Sequence, residues 1–197
     1  MTETTTAATA PPPDILLRMA EAATDLHKYA LMEASWNGAV VGKGELPTGD
    51  ARDQLVVLKD DLADQLELVG KQTDFLLDVF AEFGPWLDQA VAEALESDHL
   101  TDDQVEQLRS SLGGTDVAAR GTAKAQTLIG EVPKNVEILR GDFDDLTGPT
   151  KVMSSSTGCT MIDVAMMAGL ALCIPTEGAG CVLALAAMIA HAALCPH

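Results

Sequence analysis

The longest regular alternation of apolar and polar positions runs over residues 51–83, where Leu55, Leu58, Leu62, Leu66, Val69, Leu76, Val79 and Phe83 recur at steps of three, four or their sum. That spacing lays one apolar stripe along a helix and predicts an amphipathic rod, the spine of a bundle. Ile15, Met19, Ala22, Leu26, Tyr29 and Ala30 form a similar stripe over residues 14–35, with Asp14 as its N-cap. Trp36-Asn37-Gly38 is expected to end this helix, and the glycines and Pro47 of residues 38–50 to form a loop. Gly84-Pro85 breaks the spine and opens a helix over residues 86–96. Thr101 with Gln104 three residues on predicts a capping box, and a short helix from there to Leu112 that Gly113-Gly114 closes. Residues 116–129 and 133–146 read as two helices or as one kinked at Pro133. Residues 1–13, rich in Thr, Ala and Pro, read as an unstructured tail, and residues 147–158 have the composition of a linker. Residues 14–146 are thus one helical unit.

After residue 158 the pattern changes. From Cys159 onward Asp163 and Glu177 are the only acids, there is no Lys or Arg, and all four cysteines of the chain occur here. Cys159 and Cys173 are 14 apart, as are Cys181 and Cys195, a step that returns a side chain to nearly the same face of a helix. Two antiparallel helices joined by residues 174–180 would set residues level when their position numbers share one sum. Cys159 with Cys195 and Cys173 with Cys181 meet that condition, and so do Asp163 with His191 and Met166 with Met188. The expectation is a helical hairpin over residues 159–197 with nested Cys159–Cys195 and Cys173–Cys181 disulfides, its register marked by Asp163 and His191. Free buried thiols and metal ligation are the alternatives. One zinc site using all four cysteines is excluded, because Cys159 and Cys173 would stand about 21 Å apart along a helix. A site from Cys159, Cys195, His197 and His191 stays open.

Composition sharpens the fold class and narrows the chemistry. Hydrophobic residues make up 47% but aromatics only 4%, a palette that suits close-packed helices more than strands, so the class is all-α. The net charge of −18 is uneven: Lys151 against Asp163 and Glu177 leaves residues 151–197 at −1, so residues 1–150 carry −17. Such a surface repels phosphate backbones and anionic membranes, which argues against a nucleic-acid partner. The four histidines are scattered and no catalytic frame surrounds them, so an enzyme, a metal or another cofactor is not expected. Residues 1–10 hold neither a cation nor an apolar run, so no standard secretory leader is read there, and disulfides would call for a non-classical export route.

Thr157-Gly158-Cys159, the apolar run to Cys173-Ile174-Pro175, and Gly180-Cys181 with its apolar run to Cys195 resemble the cysteine-rich C-terminal peptides of halocin-type bacteriocin precursors. The resemblance covers the last quarter of the chain. It implies a membrane-active peptide beginning between residues 147 and 157, with residues 14–146 as carrier or immunity-like companion. A processing protease, a dedicated exporter and a target membrane would be the partners. Trp36-Asn37-Gly38 and Tyr29 to Glu33 resemble the turn and export patterns of type VII secreted helical proteins, and Gly113-Gly114 resembles a bacteriocin leader cleavage site.

The functional expectation is an acidic bundle that sequesters an apolar, stapled hairpin which acts on membranes through Leu170, Leu172, Ile174, Val182, Leu183, Leu185, Ile189 and Leu194. Each apolar arm, about 15–17 residues, falls short of the ~20 that span a bilayer. The rival expectation is a non-enzymatic interaction module in which the hairpin is part of one bundle or an oligomerisation surface.

Overall fold

A computed structural model of the chain describes residues 8–40, 48–114, 116–143 and 155–195. Seven helices follow one another: α1 Pro13–Val40, α2 Asp50–Glu82, α3 Gly84–Leu95, α4 Asp102–Leu112, α5 Val117–Arg140, α6 Ser155–Ala171 and α7 Ala179–Leu194. No strand occurs among the described residues.

The α2 stripe is buried through Leu55, Leu62, Leu66, Val69, Leu76 and Val79, with Leu58 and Phe83 partly covered at its margin. This face packs mainly on α5 and α1. The capping box forms in full at the start of α4: Thr101 Oγ1 accepts from the Gln104 amide and Gln104 Oε1 accepts from the Thr101 amide at 2.9 Å. Gly113 closes α4 in the left-handed conformation at φ 69°. Arg120 Nη1 then donates to the Leu112 carbonyl at 2.5 Å, so the double glycine seats a guanidinium at a helix stop.

Three expected boundaries are corrected. The first helix begins at Pro13, where the Pro12 carbonyl accepts from the Ile15 and Leu16 amides, so Asp14 lies in the first turn rather than capping it. Trp36-Asn37-Gly38 does not end that helix, which continues to Val40. Trp36 is fully buried, edge-on to the Phe143 ring at 6.1 Å, and this packing outweighs the roughly 1 kcal/mol that a glycine costs inside a helix. Of the two readings for residues 116–146 the single helix is the one observed: residues 117–140 run through Pro133, with Leu128, Val132 and Leu139 in the core on both sides of the missing N–H. Within the expected linker, Ser155 to Gly158 are the first turn of α6, and residues 147–154 lie outside the described residues.

α6 holds the centre. Every residue from Met161 to Cys173 is buried, and α1, α3, α5 and α7 surround the helix. A helix that is apolar on every side needs such enclosure in water, and the other helices supply it with their own stripes. One continuous hydrophobic core therefore runs from Met19 on α1 through α6 to Cys195.

The two arms of the hairpin meet backbone to backbone. A Cβ on Gly169 would come within 2.9 Å of the Ala184 nitrogen, and one on Gly180 within 2.5 Å of the Gly169 carbonyl oxygen and 2.6 Å of the Cys173 nitrogen. The turn between them is organised by Thr176, whose hydroxyl donates to the Leu172 carbonyl at 2.6 Å and accepts from the Gly180 amide at 2.8 Å. It thus satisfies an end group of each helix. Gly178, at φ 94°, takes the left-handed step that reverses the chain.

Replacing a helical glycine by alanine ordinarily gains up to about 1 kcal/mol. Gly130, with nothing within 4 Å of its would-be Cβ, should follow that rule. Gly180→Ala should reverse it and destabilise by about 1–3 kcal/mol, because only backbone could move aside. Chemical unfolding of the two variants under non-reducing conditions checks the opposite signs.

Candidate functional site

The candidate site is the hairpin α6–α7 and the groups that hold it in the bundle. Disulfides join Cys159 to Cys195, with Cα atoms 5.7 Å apart, and Cys173 to Cys181, with Cα atoms 4.6 Å apart. There is no free cysteine among the described residues. The outer bridge closes the open ends of the hairpin and the inner one closes the turn. In the chain-entropy model, loops of 36 and 8 residues contribute about 4 and about 2.5 kcal/mol taken separately.

The residues expected to enter a membrane divide between two environments. Leu170 and Leu172 are fully buried in the bundle core. Leu183, Leu185 and Leu194 are half-buried, Ile174 is exposed at the turn, and Val182 and Ile189 are exposed at 67% and 66%. The outward side of α7 is therefore apolar and open, whereas α6 is enclosed. With 17 and 16 residues the two helices are about 25 Å long, under the ~30 Å of a bilayer's hydrocarbon layer. No helix among the described residues is long and apolar enough to cross a membrane.

Asp163 and His191 are brought together, and a third group joins them. His191 Nε2 lies 3.3 Å from Asp163 Oδ1, without hydrogen-bond geometry, so the contact is one of proximity. Asp163 Oδ2 instead accepts a 2.5 Å charge-assisted hydrogen bond from Lys124 Nζ on α5. Asp163 is only 7% exposed, so the one acid of α6 is neutralised by a cation from the enclosing shell. This contact ties the hairpin to the bundle. Lys124 was not singled out in the sequence; a lone carboxylate in an apolar helix calls for a cation, but spacing does not say which of twelve supplies it.

A second polar cluster lies where α1 meets the first turn of α6. Glu33 is buried, its Oε2 has no hydrogen-bond partner, and a Cβ on Gly158 would approach that oxygen to 3.1 Å. Burial pushes the Glu33 carboxyl up to about 7, and a hydrogen bond from Asn37 works in the opposite direction. Burial, and then the charge of Glu33, raises the Tyr29 hydroxyl as well. Nearby, Thr157 Oγ1 donates to Glu131 Oε2 at 2.5 Å, which links α6 to α5. In the residues alone this cluster shows only as an acid at a helical step of four from Tyr29.

No group of three His, Cys, Asp or Glu able to hold a metal ion occurs among the described residues, and His197 lies outside them. No protein-family model matches this chain, and neither a curated protein nor a solved structure does.

Glu33 is neutral in both folded and unfolded chains below about pH 4.5, and it costs stability only once the unfolded carboxyl ionises ahead of the folded one. Its unfavourable contribution therefore grows as pH rises from 4.5 to about 7 and is constant above. Glu33→Gln should be close to neutral at pH 4 and more stable than the parent by about 3 kcal/mol at pH 8, read from urea unfolding at both pH values. Lys124→Met should cost about 1–3 kcal/mol by leaving Asp163 with His191 alone. Lys124→Met combined with Asp163→Leu should recover most of that loss, and a double-mutant cycle in the same assay tests the coupling.

Proposed function

We propose that this is a two-part membrane-active protein, in which an acidic helical shell keeps a stapled apolar hairpin in solution until it transfers to a lipid bilayer. The observation that carries the reading is α6: a helix with a single acid, closed covalently to the still more apolar α7 and enclosed on its other sides by amphipathic helices. The interface inside the hairpin is of a kind that does not need water. Gly169, Gly180 and Ala184 allow van der Waals contact between backbones, the packing that joins helices in lipid, and the disulfides hold in any solvent. The shell is the reverse case, because its stripes associate only while water surrounds them.

Transfer of the hairpin without prior cleavage fits the shared core better than release of a finished peptide. Removing α6 would leave the apolar faces of α1 and α5 without the helix they pack on, so residues 14–146 would not make a self-sufficient companion. The arms are shorter than a full span, which favours insertion to partial depth or local thinning of the bilayer. The bacteriocin-like, exported role implied by the cysteine pattern belongs to this proposal, and the two disulfides fit an oxidising compartment.

A second reading is a protein-interaction bundle in which α6 is simply the core helix and the disulfides harden it. The continuity of the core favours it. Export of the type VII kind has lost its geometric basis, since Trp36-Asn37-Gly38 is helical rather than a turn between helices.

The full-length oxidised chain, added to dye-loaded phosphatidylcholine vesicles, should release the dye. Hydrogen exchange across residues 161–171, slow in solution, should change when the vesicles are present. Lys124→Met should release dye faster, because it loosens the tie between hairpin and shell. Absence of leakage at both pH 5 and pH 7, with exchange in α6 unaltered by lipid, would refute membrane activity and leave the interaction bundle.

A further inference from the structure

The hairpin's outer face raises a question that enclosure of α6 does not answer: what a folded, strongly acidic protein would touch first. Val182 and Ile189 stand exposed on α7, Leu185 and Ala186 are half-exposed between them, and Ala192 and Ala193 extend the stripe by a further turn. Their spacing of three to four residues keeps them on one side of the helix. The helix carries no Asp, Glu, Lys or Arg at all, on a chain of net charge −18.

We infer that this outward face of α7 is a docking surface for a zwitterionic phospholipid bilayer. The inference rests on the membrane-active reading and adds to it the point of first contact and the class of lipid. Two features decide the occupant. The first is charge: an anionic leaflet is repelled by the shell and finds no Lys or Arg on α7 to engage, His191 being turned inward beside Asp163, whereas a zwitterionic surface imposes no such penalty. The second is size. A stable pair of copies needs roughly 20–30 residues and about 800 Å² on each side, and one helix whose stripe has four exposed side chains, two of them alanines, with Leu185 and Ala186 half-covered, falls well short. A lipid interface needs only that an apolar helix face sink to the headgroup boundary. On its buried side the same arm is joined covalently to α6 through Cys181 and Cys195, so a helix resting on lipid by its outward face brings the enclosed arm to the membrane with it.

The test is co-sedimentation of the full oxidised chain with phosphatidylcholine vesicles and with vesicles enriched in phosphatidylserine, alongside dye release and sedimentation velocity without lipid. Val182→Asn with Ile189→Asn alters exposed positions only, so circular dichroism and melting should match the parent. Binding to phosphatidylcholine should fall about tenfold or more in that variant. Leu17→Asn, at an equally exposed apolar position on α1, should bind like the parent. Three results would overturn the docking surface: equal binding by the α7 variant, stronger binding to the anionic vesicles, or a lipid-free dimer that the α7 substitutions dissociate. Dye release that persists in the α7 variant would sink this surface and spare the membrane-active reading. Loss of both binding and release in the parent chain would sink both.

Discussion

An apolar helix with one charge cannot stand in water, and the architecture follows from enclosing it. α6 contributes no polar face, so it must be covered on all sides, and α1, α3, α5 and α7 provide that cover. Each covering helix needs an outer face that water accepts. In α1 to α5 those faces carry the acidic excess of the chain. Asp163 is the acid of α6 itself. It is tolerated in the core because Lys124 reaches it from the shell.

The two parts hold together by different physics. The shell closes on α6 through hydrophobic burial, an effect of the surrounding water. The hairpin closes on itself through backbone approach at Gly169 and Gly180, through Thr176 at the turn and through two disulfides. A change of solvent from water to lipid weakens the first set of contacts and leaves the second in place. Glu33 adds a local weakness where α1 meets the start of α6, since a buried carboxyl with an unpartnered oxygen is tolerated best when neutral.

Much of this was legible in the residues. The three-four spacing located the α2 stripe, the Thr101 and Gln104 pair located the start of α4, and the symmetric cysteine positions gave a hairpin register in which Asp163 faces His191. The misses were tertiary. Trp36-Asn37-Gly38 reads locally as a helix stop, but Phe143, more than a hundred positions away, supplies the packing that carries the helix on. Pro133 reads as a break or as a kink in one helix, and only the core, which grips α5 on both sides of it, decides for one helix. The unequal fates of the arms were invisible, because helices without a polar face give no sign of which one lies inside. Lys124 could not be chosen from spacing, since its partner lies on an element that only the fold brings near.

The nested bridges also settle how the chain can be divided. A single peptide-bond cut between Cys159 and Cys173 leaves the pieces joined through the outer disulfide, and a cut in the turn between Cys173 and Cys181 leaves them joined through both. A cut between Cys181 and Cys195 leaves them joined through the outer one. Only a break upstream of Cys159 parts the hairpin from the rest of the molecule. The tail therefore behaves toward a protease as one indivisible piece, and nicks inside it change its flexibility without changing its mass under oxidising conditions, apart from the water added.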